Sequence, residues 1–219
     1  NMHLNYIDNY KSIIEIINEH KNVNNRDIRL IVVSKTQDYT KIIELEKLGQ
    51  RDFGENYLDE AREKIIQINN PNIVWHYIGS IQSNKIKKIS ENFSWIHTVS
   101  SEKHAHKIND VCSKLDKVMN ICIQINIDNE ETKGGIDIEE YNNLSLIVRN
   151  MKNIRLRGIM AIPKVSQSSV ESFAKMKDLY DRHQYLDTLS MGMSKDYISA
   201  IEYNANMLRI GQQIFGKRT

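Results

Sequence analysis

The chain alternates short apolar segments with longer amphipathic segments, and it does so eight times. The first apolar segment, residues 28–35, is rich in Ile and Val, which is typical of a buried parallel strand. Hydrophobic periodicity predicts strands over residues 28–35, 51–56, 73–79, 95–99, 119–127, 154–162, 188–193 and 207–214. Helices are predicted near residues 40–49, 57–68, 102–115, 138–151, 170–185 and 197–204, with a further helix after a cap at Ser83. They follow an opening helix with apolar residues at Leu4, Ile7, Tyr10, Ile14 and Ile17.

The number of strands favours one parallel architecture. Eight strands joined by helices are typical of a (β/α)8 TIM barrel, and 219 residues lie within the usual range for that fold. We therefore predict an α/β fold, a single (β/α)8 barrel with an extra N-terminal helix. No linker or change in composition divides the chain, so residues 1–219 are expected to form one domain. A doubly wound open sheet remains the alternative, because periodicity does not show whether a sheet closes.

Composition excludes several classes of protein. The formal net charge is +2, which argues against a protein that wraps nucleic acid. The only cysteines, Cys112 and Cys122, are too few for a disulfide framework or a thiolate metal site and suggest reduced thiols in a cytoplasmic protein. No apolar run approaches the roughly 18 residues that a membrane span needs. The first residues do not resemble a signal peptide, and they lead directly into an amphipathic helix.

One lysine stands at the end of an apolar strand. In a (β/α)8 barrel the chemistry lies at the C-terminal ends of the strands. Lys35 has the same strand parity as Ile31 and Val33, so the three side chains are expected to point the same way. If that direction is inward, desolvation lowers the pKa of the lysine and makes its amine a nucleophile toward an aldehyde. The alternative is a lysine that extends past the strand end into solvent.

The last two strands suggest a phosphate site. Arg209 and Gly211 lie at the end of the eighth predicted strand, and Ser194 follows the seventh. The loops after these two strands form the common phosphate site of this fold. Ser194 and Asp196 can equally be interpreted as a cap on the helix over residues 197–204, and capping is compatible with anion binding.

The histidines do not suggest a metal centre. His76 lies on the third predicted strand and is interpreted as a core histidine with satisfied hydrogen bonds, or as a residue that supports a site residue from behind. His104 and His106 are two residues apart in a predicted helix, so they point to different faces. No metal ligands are therefore predicted.

Seven motifs, in order along nearly the whole chain, resemble the YggS/PROSC family, the pyridoxal phosphate homeostasis proteins. Each motif alone is weak, but their order and spacing make the match specific. They are Val33-Ser34-Lys35-Thr36, Phe53-Gly54-Glu55-Asn56-Tyr57, Trp75-His76-Tyr77-Ile78-Gly79 with Gln82-Ser83-Asn84-Lys85, Ile125-Asn126-Ile127 with Lys133 and Gly135, Leu156-Arg157-Gly158-Ile159-Met160-Ala161-Ile162-Pro163, Leu189-Ser190-Met191-Gly192-Met193-Ser194, and Arg209-Ile210-Gly211 with Ile214-Phe215-Gly216.

The resemblance implies a barrel of the alanine racemase N-terminal type that carries pyridoxal 5′-phosphate (PLP). By the matching motifs, Lys35 would form the internal aldimine, a Schiff base with the cofactor. Asn56 would line the pocket of the pyridine ring, and Arg209 would approach the ring nitrogen. Because a guanidinium only donates hydrogen bonds and stays charged, Arg209 would keep that nitrogen unprotonated. Lys133 is a candidate for a minor site of attachment.

For the phosphate, the resemblance implies contacts from Ser194 and from the backbone at Gly211, with Ser190 as a further candidate. Gln212 stands where the family commonly has a small hydroxyl residue, so a side-chain contact there is in doubt. The segment from Asn204 to Asn206 replaces a Gly-Ser-Thr run, and asparagine tolerates the left-handed backbone that a glycine would adopt.

Three functions are compatible with such a barrel. The resemblance favours a monomeric cytoplasmic protein that binds PLP, serves its homeostasis without robust turnover, and has PLP-dependent apoenzymes as candidate partners. The alternative is an amino-acid racemase, which needs a second acid–base group on the cofactor face opposite the lysine. In alanine racemases an extra β-domain and a partner subunit supply that group, and we expect no such domain because Thr219 closely follows the eighth strand. A sugar-phosphate isomerase would need a paired acid and base, and the sequence shows none.

Overall fold

The computed structural model describes residues 2–24, 26–131, 134–164 and 169–217. Its eight strands are all parallel and form a closed barrel in sequence order. They are β1 (Arg29–Val33), β2 (Asp52–Glu55), β3 (Val74–Tyr77), β4 (Trp95–Val99), β5 (Met119–Gln124), β6 (Ile154–Met160), β7 (Thr188–Ser190) and β8 (Met207–Ile210). The (β/α)8 barrel is thereby confirmed, and the open doubly wound sheet is excluded.

Helices surround the barrel, and one helix precedes it as predicted. They are α1 (Met2–Asn24), α2 (Tyr39–Lys47), α3 (Leu58–Ile68), α4 (Ile86–Asn92), α5 (Glu102–Lys114), α6 (Tyr141–Arg149), α7 (Ser169–Asp181), α8 (Tyr197–Glu202) and α9 (Gln212–Phe215). Short 3-10 turns precede two of them, at Ser83–Lys85 and Ile138–Glu140. Within the described residues, no helix is both long enough and apolar enough to cross a lipid bilayer.

Strand parity divides the buried residues into two layers. A small inner cluster fills the barrel and contains Ile31, Trp95, Cys122, Met160 and Met207. A much larger cluster lies between the strands and the surrounding helices, and it includes Leu30 and Val32, the neighbours of Ile31 on β1. Alternation along a strand therefore directs Ile31, and Val33 two residues on, toward the barrel axis.

The eighth predicted strand is too long. The sequence pattern extends it to Ile214, whereas β8 ends at Ile210 and residues Gln212–Phe215 form α9. Ile214 is fully buried in the larger cluster, so its apolar character reflects helix packing and not strand pairing. At the preceding turn, Asn204 adopts a left-handed backbone with φ 72°, as expected for an asparagine in place of a glycine.

Gly158 provides a test of the packing between β6 and β7. A Cβ atom at this position would lie 1.7 Å from the backbone oxygen of Thr188, which cannot move without breaking the sheet. We expect Gly158→Ala to lower the free energy of unfolding by about 3 kcal/mol, the upper part of the range for overpacking. Urea denaturation measures this loss. Gly134→Ala is the control, because its nearest neighbour would be 3.5 Å away. Equal stability of the two variants would contradict the packing described.

Candidate functional site

A cavity of about 450 Å³ opens at the C-terminal end of the barrel. Its wall includes Lys35 after β1, Ser194 after β7, and Arg209 and Gly211 from β8 and the turn that follows it. Four of the six predicted site residues therefore share one cavity. The other two, Asn56 and Ser190, lie outside its wall.

The backbone on each side of Lys35 is held by helix α3. β1 ends at Val33, two residues before Lys35, and Thr36 adopts a left-handed backbone with φ 64°. Lys64 donates a hydrogen bond from Nζ to the Ser34 backbone oxygen at 2.7 Å. The Thr36 backbone N–H donates to Glu60 Oε1 at 2.5 Å. The two peptide groups that flank Lys35 are thus held from outside the cavity. These bonds fix the position of the Lys35 backbone, from which its side chain extends.

Lys64 also forms a buried ion pair beneath this turn. Its Nζ lies 3.0 Å from Glu55 Oε2 and 3.1 Å from Glu60 Oε1. Glu55 is completely buried, and its carboxylate accepts a second hydrogen bond, from the Ser34 hydroxyl. Burial raises the pKa of Glu55, and the Lys64 ammonium opposes that rise. The Glu55 carboxylate therefore depends on Lys64, because without that ammonium it would be a buried charge without compensation.

Arg209 extends from β8 to the floor of the cavity. Only 4% of its surface is exposed, and burial lowers the pKa of its guanidinium to about 10. Nη1 donates to Ser190 Oγ at 2.5 Å, and Nη2 donates to the Ala161 backbone oxygen at 3.0 Å. These two bonds hold one edge of the guanidinium against the barrel wall.

Ser190 lies in the barrel core behind Arg209. It is completely buried, and its Oγ is also 3.0 Å from Nδ1 of His97. Ser194, by contrast, is partly exposed at the cavity, and its Oγ accepts a hydrogen bond from the Gln213 backbone N–H at 2.9 Å. The structure thus separates two serines that the sequence analysis had grouped at the phosphate.

Ser194 joins the β7–α8 loop to α9 instead of capping α8. Asp196 is the N-cap residue of α8, but its carboxylate makes no side-chain cap bond. It accepts hydrogen bonds from the Met193 backbone N–H and the Ser169 hydroxyl, each at 2.8 Å. Of the two interpretations left open by the sequence, the cap on α8 through these side chains is therefore wrong.

Gly211 is required by a close approach of two strands. A Cβ atom there would lie 2.9 Å from the Val33 backbone oxygen, so a side chain would separate the ends of β1 and β8. The glycine keeps the backbone that follows Arg209 next to the strand that leads to Lys35.

Asn56 follows β2 and carries a polar atom without a partner. Its Oδ1 is buried and has no hydrogen-bond partner among the described residues. Since a buried polar oxygen without a partner is costly, this atom is suited to accept a hydrogen bond from a bound molecule.

Two functional neighbours were missed by sequence analysis. Lys64 appeared only as a residue of a predicted helix, and its burial depends on packing that periodicity does not show. His97 lies on β4 two residues after Trp95, so strand parity alone could have indicated its inward direction. Lys133, the candidate minor site, lies outside the described residues.

Comparison with known proteins assigns the family. Residues 8–219 match the family model described as alanine racemase, N-terminal domain. A pyridoxal phosphate homeostasis protein of Haemophilus influenzae is 39% identical over 216 residues, which cover 94% of this chain and 91% of the relative. The chain belongs to the pyridoxal phosphate homeostasis protein family. The family resemblance inferred from the motifs is thereby confirmed.

One further relative and two solved structures are also similar to this chain. The pyridoxal phosphate homeostasis protein of Escherichia coli is 39% identical over 202 residues, covering 88% of this chain and 86% of the relative. The structure of PipY from Synechococcus elongatus with PLP bound is 31% identical, with a TM-score of 0.79 over 86% of this chain and 92% of PipY. An alanine racemase of Clostridium difficile, 19% identical, has a TM-score of 0.76 over 98% of this chain and 57% of the racemase, and this likeness shows the shared fold alone.

The Lys64–Glu55 pair yields a prediction for stability. Lys64→Met should lower the free energy of unfolding by about 3–5 kcal/mol, because it leaves the Glu55 carboxylate buried without a counter-charge. The double variant Glu55→Gln with Lys64→Met should recover part of that loss. As a control, Lys47→Met removes an exposed ion pair with Glu44 and should cost less than about 1 kcal/mol. Urea denaturation compares the three, and similar losses for Lys64→Met and Lys47→Met would contradict the role of the buried pair.

Proposed function

We propose that this protein binds PLP in the cavity at the C-terminal end of the barrel and serves PLP homeostasis. The observation that carries the proposal is the placement of Lys35, Arg209 and Ser194 in the wall of one cavity. The names of the relatives and the PLP in the PipY structure support it. Lys35 is proposed to attach to the cofactor aldehyde as a Schiff base.

Arg209 is proposed to face the nitrogen of the cofactor ring. Two of its nitrogens are already bonded to Ser190 and Ala161, and the guanidinium has five N–H groups, so donors remain for the cavity. A guanidinium donates and does not accept, so it pairs with the lone pair of a neutral pyridine nitrogen. Its positive charge also opposes protonation there. A neutral ring withdraws electrons weakly, which suits binding and storage of the cofactor better than carbanion chemistry.

The remaining predicted residues are assigned by position. Ser194 and the backbone at Gly211 lie together in the cavity wall and are proposed to hold the phosphate. Asn56 lies outside the cavity wall, and it is proposed to contact the ring because a bound cofactor would give its buried Oδ1 a partner. Ser190 is proposed to contribute indirectly, through its bond to Arg209, because it lies in the core and not at the cavity.

The wider proposal is a monomeric cytoplasmic protein with one PLP-binding domain over residues 1–219. It binds the cofactor without robust turnover, and PLP-dependent apoenzymes are candidates to receive it. The homeostasis names of the relatives support this function over the racemase alternative. Cys112 and Cys122 are both buried thiols without a disulfide, which agrees with a reducing compartment.

The attachment site has a direct chemical test. Borohydride reduction of the protein with PLP, followed by peptide mapping, should place the dominant adduct on Lys35. Lys35→Ala should abolish this adduct. Lys195→Ala, which changes another lysine of the same cavity wall, should retain it. A dominant adduct on Lys195, or an undiminished yield in Lys35→Ala, would refute the assignment.

Turnover has a separate test. Protein saturated with PLP should convert L-alanine to D-alanine only at a trace rate, far below the roughly 1–1,000 per second typical of enzymes. Chiral chromatography measures the product, and sedimentation velocity on the same sample should show a monomer. Steady turnover within the enzyme range by a stable dimer would reverse the choice between storage protein and racemase.

A further inference from the structure

A chain of hydrogen bonds runs through the barrel interior from Asp52 to Arg209. Asp52 Oδ1 lies 2.8 Å from His76 Nε2, and His76 Nδ1 lies 2.9 Å from His97 Nε2. His97 Nδ1 is 3.0 Å from Ser190 Oγ, which in turn accepts from Arg209 Nη1. The five residues stand on β2, β3, β4, β7 and β8, and both imidazoles and Ser190 are completely buried.

The two ends of the chain determine the direction of every bond in it. Burial acts to raise the pKa of Asp52, but its bonds and charge interactions with His76 and Arg29 hold that pKa below the ordinary value, so the carboxylate only accepts. At the other end the guanidinium of Arg209 only donates. Burial lowers the pKa of His76 and lowers that of His97 strongly, so both imidazoles are neutral and each carries one N–H.

One arrangement of protons satisfies all four bonds. His76 Nε2–H donates to Asp52, so its Nδ1 accepts from Nε2–H of His97. Nδ1 of His97 then accepts from the Ser190 hydroxyl, which leaves the Ser190 oxygen as an acceptor for Arg209. The other neutral tautomer of His97 would place an unprotonated Nε2 2.9 Å from the unprotonated Nδ1 of His76, with no proton between them.

This direction strengthens the acceptor that Ser190 offers to the buried guanidinium of Arg209. Its guanidinium donates to a hydroxyl and a backbone carbonyl, and no carboxylate forms an ion pair with it within the described part of the chain. A hydroxyl that donates a hydrogen bond to an imidazole becomes a better hydrogen-bond acceptor, because hydrogen bonds in a chain polarise one another. Asp52, near the opposite end of the barrel, is itself paired with Arg29 Nη2 at 2.6 Å, so the hydrogen-bond chain fixes the direction of the bonds that reach Arg209 and supplies no counter-charge to it.

We propose that Asp52, His76 and His97 are positioning residues for Arg209, holding its guanidinium in one orientation at the cavity through the hydroxyl of Ser190. The consequence for binding rests on the proposed function, in which Arg209 meets the nitrogen of the cofactor ring. The hydrogen-bond chain itself does not require a cofactor. The direction of its bonds and its effect on cofactor binding are therefore measured separately.

The direction is tested on the protein without cofactor. Long-range ¹H–¹⁵N NMR of the histidine side chains at pH 7 should show His76 and His97 as neutral imidazoles, both protonated at Nε2. His97→Gln and His76→Asn identify the two sets of signals. An Nδ1–H tautomer or an imidazolium at either residue would overturn the chain as described, whatever the protein binds.

The effect on binding is tested with two cofactors. His97→Phe removes the acceptor of the Ser190 hydroxyl and should weaken binding of PLP about tenfold, as loss of a hydrogen bond to a charged group does. Binding of 1-deazapyridoxal 5′-phosphate, which lacks the ring nitrogen, should change less than about twofold, because Arg209 has no nitrogen there to meet. His97→Gln retains one donor and one acceptor and should restore most of the PLP affinity.

Trp95→Phe is the matched control for packing. Trp95 lies in the inner cluster against both imidazoles, with ring centroids 5.4 Å from His76 and 5.7 Å from His97, so this variant disturbs the same layer without removing a bond of the chain. Trp95→Phe should change the affinity for PLP and the affinity for the deaza analogue by the same factor. If His97→Phe does not fold, Ser190→Ala breaks the next link and replaces it in the comparison. Equal losses for PLP and the deaza analogue would overturn the positioning role, whereas failure of the parent to bind either would instead refute the proposed function.

Discussion

Pairing of β1 with β8 is the constraint on which the site depends. Four residue pairs join these strands, including Ile31 with Arg209, and they close the barrel. The pairing brings Lys35, near the start of the chain, into one cavity wall with Arg209 and Gly211, near its end. Gly211 permits this approach because a Cβ would collide with the Val33 oxygen. Without closure, the amine and the guanidinium would belong to opposite edges of an open sheet.

Two cations are buried near the cavity, and the fold holds them in different ways. Lys64 contacts the Glu55 carboxylate directly, and its remaining bonds fix the turn that carries Lys35. Arg209 reaches the carboxylate of Asp52 only through intervening side chains. Direct contact suits a charge that supports the backbone. The guanidinium of Arg209, held by Ser190 and the Ala161 oxygen along one edge, keeps its other donors available to the cavity.

The sequence predicted the components of the site better than their grouping. Strand parity predicted that Ile31, Val33 and Lys35 share a direction but left that direction open, and the structure places Ile31 inside the barrel. The position of Lys35 at a strand end predicted a reactive amine. Strand parity could not show that Ser190 lies behind Arg209 while Ser194 lies at the cavity. Ser190 lies toward the end of the seventh predicted strand and Ser194 directly after it, so the sequence grouped them together. Lys64 escaped detection for a related reason. The position of Lys64 in the sequence predicts which face of its helix it occupies, but its burial is decided by the neighbouring turn at Ser34.

By itself, the sequence determined the eightfold alternation, the extra helix, the family and the lysine at the end of the first strand. These properties follow from the residues of single elements and motifs and from the order of those elements and motifs along the chain. Tertiary structure alone decided the closure of the sheet, the ending of β8 at Ile210, and the hydrogen-bond chain from Asp52 to Arg209. The physical reason is that parallel strands pair across long stretches of sequence, so the partners of a buried polar group are set by the register of distant strands.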